Sequence, residues 1–115
     1  MRILFLGFAL LWSTLYSNSV YNIKDYIPET GQSILITEQL QNLIDQCSAE
    51  GGGTIYFPSG DYLTGGITLK DNTFLELSPG ATIHGSTDLN DYPEHEKGQS
   101  LFYAQGAKNF GIIGQ

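Results

Sequence analysis

Gly51-Gly52-Gly53-Thr54-Ile55-Tyr56-Phe57-Pro58-Ser59-Gly60-Asp61-Tyr62-Leu63 is the stretch whose reading decides the fold. A short apolar strand, Thr54 to Phe57, is stopped by Pro58, and a second, Asp61 to Leu63, by Gly65-Gly66. The same texture continues downstream. Ile67-Thr68-Leu69 leads into a Lys70-Asp71-Asn72 turn, then Phe74-Leu75-Glu76-Leu77 runs into Pro79-Gly80, followed by Ala81-Thr82-Ile83-His84. Leu101 to Ala104 and Phe110 to Ile113 are the last apolar runs. Thr54 to Gly60 and Leu75 to Ala81 share one order of strand, Pro and Gly, offset by about one turn of a repeat. Tight Asn-Gly or Asp-Gly hairpin signals are absent, which disfavours an antiparallel meander. An antiparallel sandwich also uses short strands, but the repeat favours a solenoid, in which two or three strands and their bends make one coil.

Upstream the period changes. Leu40, Leu43, Ile44 and Cys47 recur at helical spacing with polar residues between them, and Gly51 follows as a left-handed stop. The expectation is an amphipathic helix over Thr37–Glu50, with Thr37 as N-cap and Glu38 favouring the positive end of the dipole. A solenoid exposes apolar faces and unpaired edges at its ends, so this helix is assigned the role of cap on the first coil. Val20 to Lys24 reads as extended, and Asp25 to Ser33, with Pro28 and Gly31, as a loop. Ser86 to Ser100 reads as polar and irregular.

Met1-Arg2, the apolar run Ile3 to Trp12 and the small polar residues Ser13 to Ser19 have the layout of a secretory signal peptide, with cleavage expected after Ser19 and Ser17 nearly as good a site. The run is shorter than the roughly 20 residues a bilayer span needs. Residues 1–19 are thus expected to be a leader and 20–115 one incomplete domain of a secreted or periplasmic protein. The formal charge of the 115 residues is −7. Arg2 is the only arginine, and beyond the leader four lysines, Lys24, Lys70, Lys97 and Lys108, face twelve acidic residues. No basic patch exists to bind nucleic acid or an anionic membrane. The single cysteine, Cys47, permits no internal disulfide and reads as a core residue on the helix.

Taken together, these residues resemble the N-terminal region of the pectin-degrading enzymes of glycoside hydrolase family 28, the polygalacturonases. The resemblance runs from Tyr21 to Ile113. The helix Glu38–Cys47 followed by Gly51 to Tyr62 looks like that family's helix and first coil, and Leu77 to Ile83 like the next turn. Ser86 to Pro93 resembles a loop common in bacterial members. The first-coil motif marks the wider pectin-lyase-like superfamily, and the later segments favour family 28. Where members often carry Gly-Ala-x-Gly-Asp-Gly before the helix, this chain has Ile27 to Ser33.

The resemblance implies an all-β fold, a right-handed parallel β-helix with a capping helix, here truncated at Gln115. It implies a parent enzyme that hydrolyses α-1,4-galacturonosyl bonds of pectin with inversion, needs no cofactor, and works as a monomer on a pectic polysaccharide. Inversion requires two carboxyl groups about 6.5–9.5 Å apart, one protonating the leaving oxygen and one activating water. The family's four catalytic elements, Asn-Thr-Asp, Asp-Asp, Gly-His-Gly and Arg-x-Lys, do not occur in this chain. Asn72-Thr73 is followed by Phe74, and His84 by Gly85 but preceded by Ile83. No catalytic, cofactor-binding or metal-binding residue can therefore be named, and the chain itself is expected to be inactive.

Weaker local candidates remain. Asp88 and Asp91 bracket a polar loop, where Asp88 more naturally caps a turn. Glu94-His95-Glu96 could suggest a metal but reads as a solvated loop, and His84 reads as a surface residue. Tyr92 and Tyr103 could stack on sugar rings, although packing is the commoner use of such rings. Two other readings stay open: a non-catalytic β-helix of the adhesin or tailspike kind, and a pectate lyase-like enzyme.

Overall fold

A computed structural model describes residues 19–93 and 100–114. The expected leader and Glu94-His95-Glu96 lie outside the described residues. In chain order the elements are strand β1 (Val20–Asn22), helical turn α1 (Ile23–Tyr26), helix α2 (Thr37–Ala49), and strands β2 (Gly53–Phe57), β3 (Gly60–Thr64), β4 (Ile67–Thr68), β5 (Thr73–Leu77) and β6 (Ala81–Gly85). A 3-10 turn (Leu89–Asp91), β7 (Phe102–Tyr103) and β8 (Gly111–Ile113) follow.

All the strand pairs are parallel, and they form three sheets: β1-β2-β5-β8, β3-β6 and β4-β7. The chain visits the sheets in turn and then returns to the first. Ile55 lies beside Leu75, twenty residues on, and Tyr62 beside Ile83, twenty-one on. The next passage is longer, since Ile67 pairs with Phe102 and Leu75 with Ile112. The extra length lies in the polar segment between β6 and β7.

Alternation of side chains builds the core. Ile55 and Phe57 point inward and are fully buried, while Thr54 and Tyr56 lie half-exposed between them. Tyr21, Ile55 and Leu75 form one inward column. Phe57 meets the ring of Tyr62 edge-on, with centroids 5.1 Å apart. The bends also stack. Asn72 and Asn109 both adopt positive φ, and Asn109 Nδ2 donates to Asn72 Oδ1 at 3.0 Å. Gly52 precedes them in the same column at φ +97°, where a Cβ would stand 2.5 Å from that of Asn72.

Helix α2 closes one end. Leu40, Leu43, Ile44 and Cys47 are buried against the strands, as the helical period required. Its polar side chains satisfy backbone groups that the first passage of strands leaves unpaired. Gln41 accepts from Thr68 N at 2.8 Å and donates to Thr68 O at 2.9 Å, doing for β4 what a neighbouring strand would do. Ser48 Oγ donates to Asp71 O, and Thr37 Oγ1 accepts from Gly65 N at 2.6 Å. Ile36 N donates to Leu63 O beside β3, and β1 covers the edge of β2.

Three local expectations change. Thr37 is not the N-cap; Ile36 is, without a side-chain bond, because the Thr37 hydroxyl is committed to Gly65. The helix ends at Ala49 in a Schellman motif, with Gly51 N on Ser48 O and Gly52 N on Cys47 O, so Glu50 is the C-cap. Ile23–Tyr26 is helical, where Ile23 and Lys24 were expected to be extended and Asp25 and Tyr26 to lie in a loop, because Asn22 Oδ1 accepts from Lys24 N and caps the turn. Among the described residues, no helix is long and apolar enough to cross a membrane.

Candidate functional site

Two glycines let the polar loop come back onto the first passage of strands. A Cβ on Gly65 would collide with the Asp91 carbonyl oxygen, and one on Gly66 would stand 2.7 Å from Pro93 Cδ. With neither present, Gly66 N donates to Asp91 O at 2.9 Å. The loop is held locally as well. Asp88 Oδ1 accepts from Asn90 N at 2.9 Å, the turn-capping role that the sequence suggested. Ser86 Oγ donates to an Asp91 carboxylate oxygen, and Tyr92 donates its hydroxyl proton to Ser86 O.

Between this loop and the outer face of α2 runs an open groove of about 690 Å³. One wall is Glu38, Gln41, Asn42 and Asp45 of the helix; the other is Asn90, Asp91, Tyr92 and Pro93; Thr68 and Lys70 lie between. The outer side chains of an amphipathic helix thus become the lining of a concave surface. Lys70 Nζ is 3.6 Å from Asp45 Oδ1, and Gln41 Nε2 donates to the same oxygen at 3.1 Å. Among the described residues, the lining therefore carries three carboxylates and one ammonium, which is paired with one of them.

A carboxyl that protonates a leaving group is usually held in an apolar, water-poor pocket that favours its neutral form. The groove offers no such place: Glu38 and Asp45 are exposed and Asp91 is half-exposed. Asp45 is occupied by Lys70 and Gln41, and Asp91 by Ser86. Asp88 and Asp91 share one turn but serve to shape it.

The other candidates fall elsewhere. His84 is on the surface, with Nε2 2.9 Å from Asp61 Oδ1 across neighbouring strands β3 and β6. The His84 contact, and then that of Gln32, holds the Asp61 carboxyl below its ordinary value. Tyr103 donates to Gln105 Oε1 and lies on β7, whereas Tyr92 follows the 3-10 turn. Cys47 is completely buried, and burial, followed by the Glu50 charge, pushes its thiol up to about 11. Lys24 donates to Thr30, well away from Lys70. Among the described residues, no cluster of three or more His, Cys, Asp or Glu side chains could hold a metal ion. Sequence reading missed Glu38 and Asp45 as lining residues, since the outer face of a helix looks solvated until something is placed opposite it. The Asp61–His84 contact was legible in principle, because one coil offset brings these two outward positions to adjacent rungs.

No family model matches the chain. Among curated proteins, the chain is 37% identical over 78 residues to an exo-poly-alpha-D-galacturonosidase of Dickeya chrysanthemi, covering 68% of this chain and 13% of that protein. It is also 34% identical over 96 residues to plasmin and fibronectin-binding protein A of Streptococcus pneumoniae, covering 81% of this chain and 13% of that one. The chain thus spans about an eighth of each curated relative. Among solved structures, a proposed glycosyl hydrolase from Parabacteroides merdae superposes with a TM-score of 0.78 at 30% identity, over 84% of this chain and 42% of that one. The family 28 exopolygalacturonase of Yersinia enterocolitica superposes with a TM-score of 0.72 at 26% identity, over 85% of this chain and 20% of that one. The resemblance carried by the sequence therefore holds at both levels: in sequence and in fold, this chain is similar to part of a glycoside hydrolase of family 28.

Proposed function

We propose that this chain is the N-terminal portion of a right-handed parallel β-helix in a polygalacturonase-like glycoside hydrolase. In this reading residues 1–19 are a signal peptide, 20–115 begin the helix domain, and the parent is secreted or periplasmic. It works as a monomer, off the membrane, and cuts α-1,4-galacturonosyl bonds of pectin with inversion. The portion described here supplies the capped end of the scaffold and does not itself cut. The observation that carries the proposal is the all-parallel, three-sheet arrangement closed by α2, together with the 37% identity to an exo-poly-alpha-D-galacturonosidase. The missing family motifs support inactivity of the chain, because an extended substrate needs a matched pair of carboxyl groups at its scissile bond.

The test is an assay of reducing ends released from polygalacturonate by the purified 115-residue chain. No release is expected, and sustained turnover would refute the inactive reading. For the parent, the coding DNA downstream should contain Asn-Thr-Asp, Asp-Asp, Gly-His-Gly and Arg-x-Lys in frame; further strand repeats without them would remove the hydrolase assignment.

A second reading has its own observation. The similarity to plasmin and fibronectin-binding protein A extends over more of this chain than that to the galacturonosidase. A β-helix can present a binding surface without any catalysis, since a fold does not fix an activity. Surface plasmon resonance against plasmin and fibronectin tests it, with saturable binding expected under this reading and none under a purely hydrolytic one.

A further inference from the structure

A leader cut after Ser19 takes that residue with it, yet the backbone of Ser19 is built into the first pair of strands. Thr54 N donates to Ser19 O at 2.8 Å, and Val20 then pairs with Thr54 as β1 begins. Gly53 stands beside Ser19 at φ +155°, and a Cβ there would lie 2.5 Å from that same oxygen. Glycine at this position is what lets the Ser19 carbonyl come so close. Ser19 itself is half-buried. We infer that processing cuts the chain upstream of Ser19, so that the mature protein keeps this residue and the Ser19–Val20 bond is left intact. This inference rests on the reading that the chain begins with a cleaved leader, and it moves the end of that leader.

The chemistry of the cut explains the choice. Hydrolysis after Ser19 would send its carbonyl carbon away with the leader as a carboxylate and leave Val20 with an α-ammonium. Thr54 N–H and the Val20 ammonium, both donors, would then face the gap that the carbonyl oxygen had filled. The loss falls on a strand with little to spare. β1 is three residues long, and its middle residue, Tyr21, is buried as the first member of the inward column that continues through Ile55. Loosening β1 therefore uncovers the end of the core as well as the edge of β2. Hydrolysis after Ser17 has neither effect. It also follows a small residue, as a leader cut requires, and it leaves Asn18 as the first residue ahead of an intact Ser19.

The experiment expresses the full 115-residue chain in a bacterial host that exports it, and identifies the product by intact mass and N-terminal sequencing. The product is expected to keep Ser19, beginning at Asn18. A product beginning at Val20 would overturn the inference while the leader reading survives. A chain exported or retained without any cut would overturn both. Hydrogen exchange of the processed product, read residue by residue at low concentration, tests the bond itself. The Thr54 amide is expected to exchange at least about tenfold more slowly than an unstructured amide. Gly53, whose N–H donates to Asn72 O at 2.9 Å, reports independently that the strands are formed. Fast exchange at Thr54 with Gly53 still protected would show that Ser19 takes no part in the ladder, and would overturn the inference whatever the position of the cut.

Discussion

A Cβ placed on Gly65 meets the carbonyl oxygen of Asp91, and backbone cannot move aside as a flexible side-chain tip can. Gly65→Ala is therefore expected to push the Leu89–Pro93 loop off the first passage of strands, at a cost of about 1–3 kcal/mol. Urea denaturation measures it, and Gly31→Ala, with open space around its Cβ, serves as the control. Cys47 invites a second measurement. Its side chain is fully buried and its thiol is pushed up to about 11, so at neutral pH it is protonated and shielded. A disulfide reagent should label it slowly in the native chain and promptly in denaturant; fast native labelling would contradict the packing of α2. Asp61 supplies a third. His84 first, and Gln32 second, lower its carboxyl in the folded state. A depressed carboxyl contributes stability that is fully present above the unfolded value near 3.8 and is lost as pH falls through the folded value. The contribution is small because the pair is solvent-screened. Asp61→Asn should slightly lower the stability at neutral pH, flatten the acid limb of the stability–pH curve, and leave stability below the folded value nearly unchanged.

Helix α2 shows what a sequence conveys and what it withholds. Its existence, its buried residues and its glycine stop were all legible, because Leu40, Leu43, Ile44 and Cys47 obey a local period and Gly51 a local backbone need. The short strands were legible for the same reason, since Pro58, Gly65, Asn72 and Gly80 punctuate them. Gln41 was not. On the helix surface it looks like one more solvated amide, and only the strand twenty-seven residues away gives it a task. Thr37 was misread as a cap for the same reason, its hydroxyl being claimed by Gly65. The groove was equally hidden, being made by a loop and a helix far apart in sequence. Gln41 carries the element-scale prediction. Gln41→Ala removes both bonds to the Thr68 backbone and leaves an edge N–H and C=O without partners, for a loss of about 1–3 kcal/mol. Gln41→Glu keeps the acceptor, but loses the donor opposite Thr68 O and brings a second negative charge toward Asp45. It should not rescue stability, whereas a merely space-filling role for Gln41 would let it do so. Thermal melts of the two variants separate these outcomes.

At the scale of the whole molecule, the two ends of the sheets are treated differently. On the α2 side every sheet has something against it: β1 beside β2, Ile36 against Leu63, and Gln41 against Thr68. On the other side β8 is the last strand of its sheet among the described residues. The inward column records the consequence. Tyr21, Ile55 and Leu75 are all buried, but Ile112, the next residue in the same column, is 45% exposed. Phe110 and Ile113 are exposed beside it. Residues 109 to 113 carry no charge, and β8 has no proline or bulge, so only its three-residue length guards this edge against pairing with another chain. A polypeptide of residues 19–115 studied alone is therefore expected to self-associate through β8, with size rising with concentration in light scattering. Ile112→Lys places an inward-pointing charge on that edge and should shift the population toward monomer. Because Ile112 is already half in solvent, the same substitution should cost little in the melting temperature. Leu75→Ala, in the buried part of that column, should instead cost about 2–5 kcal/mol. A sharp, concentration-independent monomer for residues 19–115 would show that β8 is a finished edge. The contrast between Ile112 and Leu75 would then reflect local packing instead of an unsatisfied stack.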